Sequence, residues 1–172
     1  VLDMCASPGG KSFTMALHMK NIGEIISCDL YEHRVKLIFN SAERLGLRII
    51  KTTVQNATEY NKDLGEFDCV LCDVPCSGLG VLRRKPEIKY KEPEDFSSLE
   101  KIQYSILSNA VNYLKKGGKI LYSTCTLRKA ENEEIVNRFL KEHKGFEKIE
   151  EKTLMPHQAD TDGFYFALLK SV

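Results

Sequence analysis

Apolar and polar positions along the chain follow two periods that take turns. "VLDMC" at 1–5 reads as a strand, and "SPGGKS" turns from it into a helix carrying Phe13, Ala16 and Leu17. "GEIISCD" is a second strand. The helix after it sets Val35, Ile38, Ala42 and Leu45 on one face and stops at Gly46. "LRIIKTTVQ" and "FDCVLCD" are strands three and four. A polar loop over roughly 76–92 follows, with Gly78, Gly80, Pro86 and, at its far end, Pro93. Leu99, Ile102, Ile106, Ala110 and Leu114 then predict a long helix. "GGKILYST" is the fifth strand, and "AENEEIVNRFLKEH" a helix with Ile135, Phe139 and Leu140 inward. "FEKIEEK" and "GFYFALLKS" are two further strands.

Strands that alternate with helices predict an α/β fold, a mostly parallel sheet with helices on both faces. The last two strands have no helix between them, so at least one late pair is antiparallel. Ligands of such sheets bind at the carboxyl ends of the strands. The loops that begin at Cys5, Asp29, Asn56, Asp73 and Ser123 therefore converge on one rim.

Length and charge narrow this picture. A chain of 172 residues with 42% hydrophobic positions suits one compact domain. Val1 begins what reads as a strand already under way, so the sequence is expected to be a fragment without its N-terminal part. No apolar run is long enough for a bilayer and no signal peptide opens the chain, so the expectation is a cytoplasmic protein with no membrane partner. The net charge is only +1, so affinity for a polyanion must come from a local patch or from elsewhere in the protein.

Six cysteines sit without secretory features, which predicts reduced thiols, with Cys28, Cys69 and Cys72 buried. Cys69 and Cys72 lie three apart on a strand and face opposite sides, and no second pair completes them, so no metal is expected.

"DMCASPGGKS" ends like a phosphate loop, yet Cys5 stands where that pattern needs its first glycine. The dinucleotide pattern G-x-G-x-x-G is also absent. What remains is a glycine turn that lets backbone approach a ligand. Asp29 ends the second strand, where a carboxylate accepts hydrogen bonds from ribose hydroxyls; as an alternative it caps the next helix. An adenosine cofactor without a pyrophosphate fits, and S-adenosylmethionine is such a molecule.

"LDMCASPGGKS", "DVPCSGLGVLRRKPEIKY", "YSTCT" and "DGFYFALLK", in this order, closely resemble the Nol/Nop/Sun-type RNA (cytosine-5)-methyltransferases, in particular bacterial enzymes of 16S ribosomal RNA. The resemblance covers essentially the whole chain. It implies a class I methyltransferase (Rossmann-like) catalytic domain over 1–172 with a seven-stranded sheet. It also implies S-adenosylmethionine as cofactor, and an RNA-binding region and an earlier part of the catalytic domain outside this sequence. By motif, Cys5, Ala6, Ser7, Pro8, Gly9, Gly10 and Lys11 cradle the cofactor, Asp29 holds its ribose, and Asn56 lies near the adenine, with Asp73 between cofactor and base. Family members usually carry aspartate at position 56 and often alanine at position 7.

Carbon 5 of cytosine is a poor nucleophile until a thiolate adds to carbon 6. Cys76 and Cys125 both lie just past strand ends on the expected rim. Thiol chemistry alone leaves open which attacks. The Pro-Cys segment of DNA cytosine-5 methyltransferases favours Cys76; the Nol/Nop/Sun-type resemblance assigns attack to Cys125 and product release to Cys76. Asp73 is placed to hydrogen-bond the cytosine ring or its amine. "RRKPEIKYK" gathers Arg83, Arg84, Lys85, Lys89 and Lys91 around Tyr90, a composition that suits RNA backbone and an unstacked base. "AENEE" reads as acids at a helix start, and the family carries a similar Glu-Asn segment.

Overall fold

The computed structural model describes residues 1–90 and 96–172; Lys91 and Pro93 lie outside them. Among the described residues there are seven strands: β1 (Leu2–Asp3), β2 (Ile25–Asp29), β3 (Ile50–Val54), β4 (Phe67–Asp73), β5 (Leu114–Thr124), β6 (Phe146–Leu154) and β7 (Phe164–Ser171). They form one sheet in the order β3-β2-β1-β4-β5-β7-β6. The first five strands run parallel, and β7 pairs antiparallel with both β5 and β6.

The helices are α1 (Gly10–His18), α2 (Glu32–Arg44), α3 (Ser97–Ala110), α4 (Glu133–Glu142) and the single turn α5 (Pro156–Ala159). On one face, Ala16 of α1 with Ile38 and Ala42 of α2 pack on Ile25 and Ile50. On the other, Ile106 and Leu107 of α3 with Val136 and Phe139 of α4 pack on Val70, Ile120 and Leu169. Burying the larger of these side chains, valine to phenylalanine, stabilises the fold by about 1.5–3 kcal/mol each.

Among the described residues, part of the first face is left uncovered. Beside α1, Cys69, Leu71, Leu121 and Leu168 border an open apolar depression of about 360 Å³. Cys69 is therefore exposed, not buried as its apolar neighbours suggest. Leu17, expected inward, is 66% exposed on the outer side of α1, because Ala16 takes the inward position. Leu45 follows α2 as its C-cap and is exposed, and Leu114 opens β5 rather than extending α3. No helix of the described residues is long and apolar enough to cross a membrane.

Candidate active site

The carboxyl ends of β1, β4 and β5 meet where the sequence places its chemistry. Asp73 ends β4 in register with Ser123 of β5. Ser123 Oγ donates to Asp73 Oδ1 at 2.7 Å, and Lys11 Nζ donates to Asp73 Oδ2 at 2.7 Å. The ammonium of α1 thus reaches across the rim from the glycine turn to the strand that carries the PCSG segment.

Gly9 caps α1 with φ 108°, a left-handed conformation that glycine adopts without strain. A Cβ there would fall 2.2 Å from the Phe13 ring. At Gly10 a Cβ would meet nothing within 4 Å, so the turn is open on that side. Ala6 is buried, Cys5 and Ser7 are half-buried, and Pro8 is exposed. Ser12, the last residue of the phosphate-loop-like run, is turned inward; its Oγ bonds Asp3 Oδ2 at 2.6 Å and Ser27 Oγ at 2.7 Å. Asp3 is fully buried, and its Oδ1 has no hydrogen-bond partner among the described residues. Burial pushes the Asp3 carboxyl up to about 7, opposed by the Ser12 hydrogen bond.

Asp29 ends β2, and its Oδ1 accepts from the Tyr31 N–H at 3.1 Å, with Arg34 Nη1 at 3.9 Å. The cap position of α2 belongs to Tyr31, so Asp29 is not that cap. Asn56 is occupied within its own turn. Its Oδ1 accepts from Thr58 N at 3.1 Å and Thr58 Oγ1 at 2.8 Å, and its Nδ2 donates to Glu59 Oε1 at 2.8 Å.

Cys76 and Cys125, 49 residues apart in the chain, bring their sulfurs to 3.3 Å. A hydrogen bond from Cys76 holds the Cys125 thiol down to about 7, and nearby Lys11 helps; burial and Asp73 oppose. The same bond and burial push Cys76 far up. The pair therefore gives up its first proton more easily than an ordinary thiol, and the directions of the two shifts favour the charge on Cys125.

The AENEE run does open α4, with Asn132 at its N-cap and Glu133 and Glu134 in its first turn, but Glu131 and Asn132 are buried. Glu131 Oε2 accepts from Ser77 N and Gln103 Nε2, both at 2.9 Å, and Oε1 from Arg128 Nη1 at 3.0 Å. Asn132 Oδ1 accepts from Thr124 Oγ1 at 2.6 Å and its Nδ2 donates to Thr126 O at 3.0 Å, which brackets Cys125. An acid-rich run looks solvated in one dimension; the only sequence sign of burial was the Glu-Asn likeness to the family.

In the basic loop, Arg84 Nε meets Asp162 Oδ2 at 2.5 Å, and Arg83 Nη2 lies 3.9 Å from Asp162 Oδ1. Asp162 is buried and belongs to the DGFYFALLK segment, so Arg84 has a structural partner that the sequence did not reveal. Lys85 and Lys89 are exposed, and Tyr90 is 87% exposed.

The chain matches the family described as 16S rRNA methyltransferase RsmB/F over residues 1–170. It is 43% identical to the probable ribosomal RNA small subunit methyltransferase B of Bacillus subtilis, over 99% of this chain and 42% of that protein. It is 32% identical to the human 28S rRNA (cytosine(4447)-C(5))-methyltransferase, over 99% of this chain and 24% of that protein. The crystal structure of NSun6 from Pyrococcus horikoshii with SFG superposes with a TM-score of 0.90 at 30% identity, covering 99% of this chain and 47% of that one. The chain thus spans less than half the length of these relatives. Its sheet order and antiparallel β7 are those of a class I methyltransferase fold. A match of this extent, on a rim with two adjoining thiols, makes the chain a member of the 16S rRNA methyltransferase RsmB/F family.

Proposed function

We propose that the whole protein methylates carbon 5 of a cytosine in RNA, with 16S ribosomal RNA as substrate, and that residues 1–172 form its catalytic domain. The names of the Bacillus and human relatives support ribosomal RNA and cytosine carbon 5. Such a substrate implies a cytoplasmic enzyme. The observation that carries the reading is the 3.3 Å approach of the Cys76 and Cys125 sulfurs beside Asp73.

S-adenosylmethionine fits the other half of the rim. An unpartnered buried oxygen on Asp3 lies at the foot of the glycine turn, Gly10 leaves space, and Asp29 offers a carboxylate at the end of β2. Cys5 to Gly10 would hold the cofactor with Asp29 on the ribose. Asn56 is a weaker adenine contact, since its amide is already engaged. When bound, the cofactor supplies an electrophilic methyl group.

The Cys125 thiolate adds to carbon 6 of cytosine, forming a carbon–sulfur bond and loading carbon 5 with electron density. Asp73, held by Lys11 and Ser123, bonds the pyrimidine edge and fixes its orientation. Carbon 5 accepts the methyl group. Once Cys125 is bonded to carbon, its negative charge is gone and the Cys76 thiol ionises more easily, releasing its proton to solvent. The Cys76 thiolate then takes the carbon-5 proton, the carbon–sulfur bond breaks, and Cys125 leaves as thiolate.

In the whole protein, Cys125→Ala is expected to abolish transfer of labelled methyl to ribosomal RNA. Cys76→Ala is expected to accumulate an RNA–protein adduct that survives denaturing electrophoresis. Turnover by Cys125→Ala, or adducts formed by that variant alone, would reverse the assignment.

A further inference from the structure

We propose that Glu131 is a positioning residue for methyl transfer: its buried carboxylate ties the loop of Cys76 to the loop of Cys125 and so fixes the spacing of the two sulfurs. This rests on the reading of those cysteines as the reacting pair.

The two loops leave neighbouring strands paired in register up to Asp73 and Ser123, and the ladder ends at Val74, before either cysteine. Glu131 bridges them. Ser77, the next residue after Cys76, donates its backbone N–H to Oε2. Arg128, three residues after Cys125, donates to Oε1. Gln103 of α3 donates one amide to both Oε2 and the carbonyl of Pro75, the residue before Cys76. The backbone oxygen of Glu131 in turn accepts from Tyr122 OH at 2.6 Å, on the strand that leads to Cys125. Ser77 Oγ and Thr126 Oγ1, each one residue beyond a site cysteine, meet at 2.8 Å. Each cysteine is thus pinned on both sides.

A carboxylate at 0% exposure is costly unless it is well bonded, and here three donors, one carrying a full positive charge, engage both oxygens. Bonds to an ionised acceptor are about twice as strong as neutral ones. An apolar contact could match that stability but would tolerate slippage, and a misplacement of about 1 Å at reacting atoms costs on the order of a hundredfold in rate. The charged groups that face Cys125 directly are Cys76, Asp73 and Lys11. None of them is altered by a change at Glu131, and loss of its negative charge would by itself lower the Cys125 value, so a rise would report on spacing.

The pH dependence of Cys125 alkylation by iodoacetamide, followed by peptide mass spectrometry, tests this. The wild-type chain is expected to show a midpoint of about 7. Glu131→Gln keeps the shape but sets an amide N–H₂ among donors. Its midpoint is expected to rise by about one unit or more toward an ordinary thiol, while S-adenosylmethionine affinity by calorimetry stays within about twofold. In the whole protein the same variant should lower kcat by about tenfold or more with KM for RNA unchanged. A folded Glu131→Gln chain with the wild-type midpoint would overturn the proposal. If that variant does not fold, Gln103→Leu removes one donor and leaves the carboxylate; it must shift the midpoint in the same direction, and an unshifted midpoint is equally fatal. An ordinary midpoint in the wild type, or methyl transfer by Cys125→Ala, would instead defeat the cysteine-pair reading.

Discussion

The backbone N–H of Gly80 donates to the carbonyl oxygen of Cys125 at 2.9 Å, and Gly163 N donates to Gly80 O at 2.8 Å. Three segments of the site, PCSGLG, STC and DGF, therefore touch through main chain. A Cβ on Gly80 would fall 2.1 Å from Gly163 O and 2.8 Å from Cys125 O, and backbone atoms cannot swing aside. Gly80→Ala is expected to lower stability by about 1–3 kcal/mol, measured by urea unfolding, and to depress methyl transfer in the whole protein. An alanine variant with an unchanged midpoint and rate would contradict the close approach.

The sulfur spacing makes a second expectation. Two thiols at 3.3 Å need only a small rotation to reach bonding distance. Mild oxidation with diamide should join Cys76 to Cys125 before any other pair, with the loss of two hydrogens, and dithiothreitol should reverse it. Peptide mapping that found another pair first would count against the arrangement.

Asp3 gives a stability signature with a definite sign. Its folded carboxyl is raised to about 7, so between roughly pH 4 and 7 the native chain binds a proton that the unfolded chain has released. The contribution of Asp3 is full below the unfolded value and is lost as pH rises through the folded one. Wild-type stability relative to Asp3→Asn should therefore fall across that window and level off above it. Paired urea titrations at several pH values check this; a difference that stays constant or grows with pH would refute it.

The basic loop divides into two kinds of cation. Lys85 and Lys89 are exposed, and replacing both with alanine should weaken RNA binding by the whole protein and flatten its salt dependence by about 0.7 per lysine on a log–log plot for single-stranded RNA. Arg84→Ala should in addition lower the thermal midpoint, because it leaves Asp162 buried with its nearest cation removed. Equal thermal midpoints for the lysine and arginine variants would remove that distinction.

Most of the sheet was legible because each of its elements carries its own period. β4 matches "FDCVLCD" residue for residue, since Val70, Leu71 and Cys72, buried in the centre of the sheet, form an apolar run that leads straight into turn residues. Leu17 and Leu45 were misplaced because helical spacing fixes a face but not how wide a face the sheet covers. At the site, Cys76, Cys125, Asp73 and the glycine turn were recognisable as motifs. Their cross-links were not. Lys11 with Asp73, Glu131 with Ser77 and Arg84 with Asp162 join segments far apart in sequence, and a buried acid reads in one dimension like a solvated one.

The place of β7 carries a consequence for how the domain assembles. Although it follows β6 in the chain, it lies inside the sheet, between β5 and β6. During synthesis β5 must wait with one side unpaired until Phe164–Ser171 leave the ribosome, and β6 has no neighbour at all until then. The β6–β7 pairing is local, but the β5–β7 pairing joins residues far apart in sequence and forms slowly. The loop that carries Cys125 grows out of β5, so it takes its final shape only when the last strand slots home.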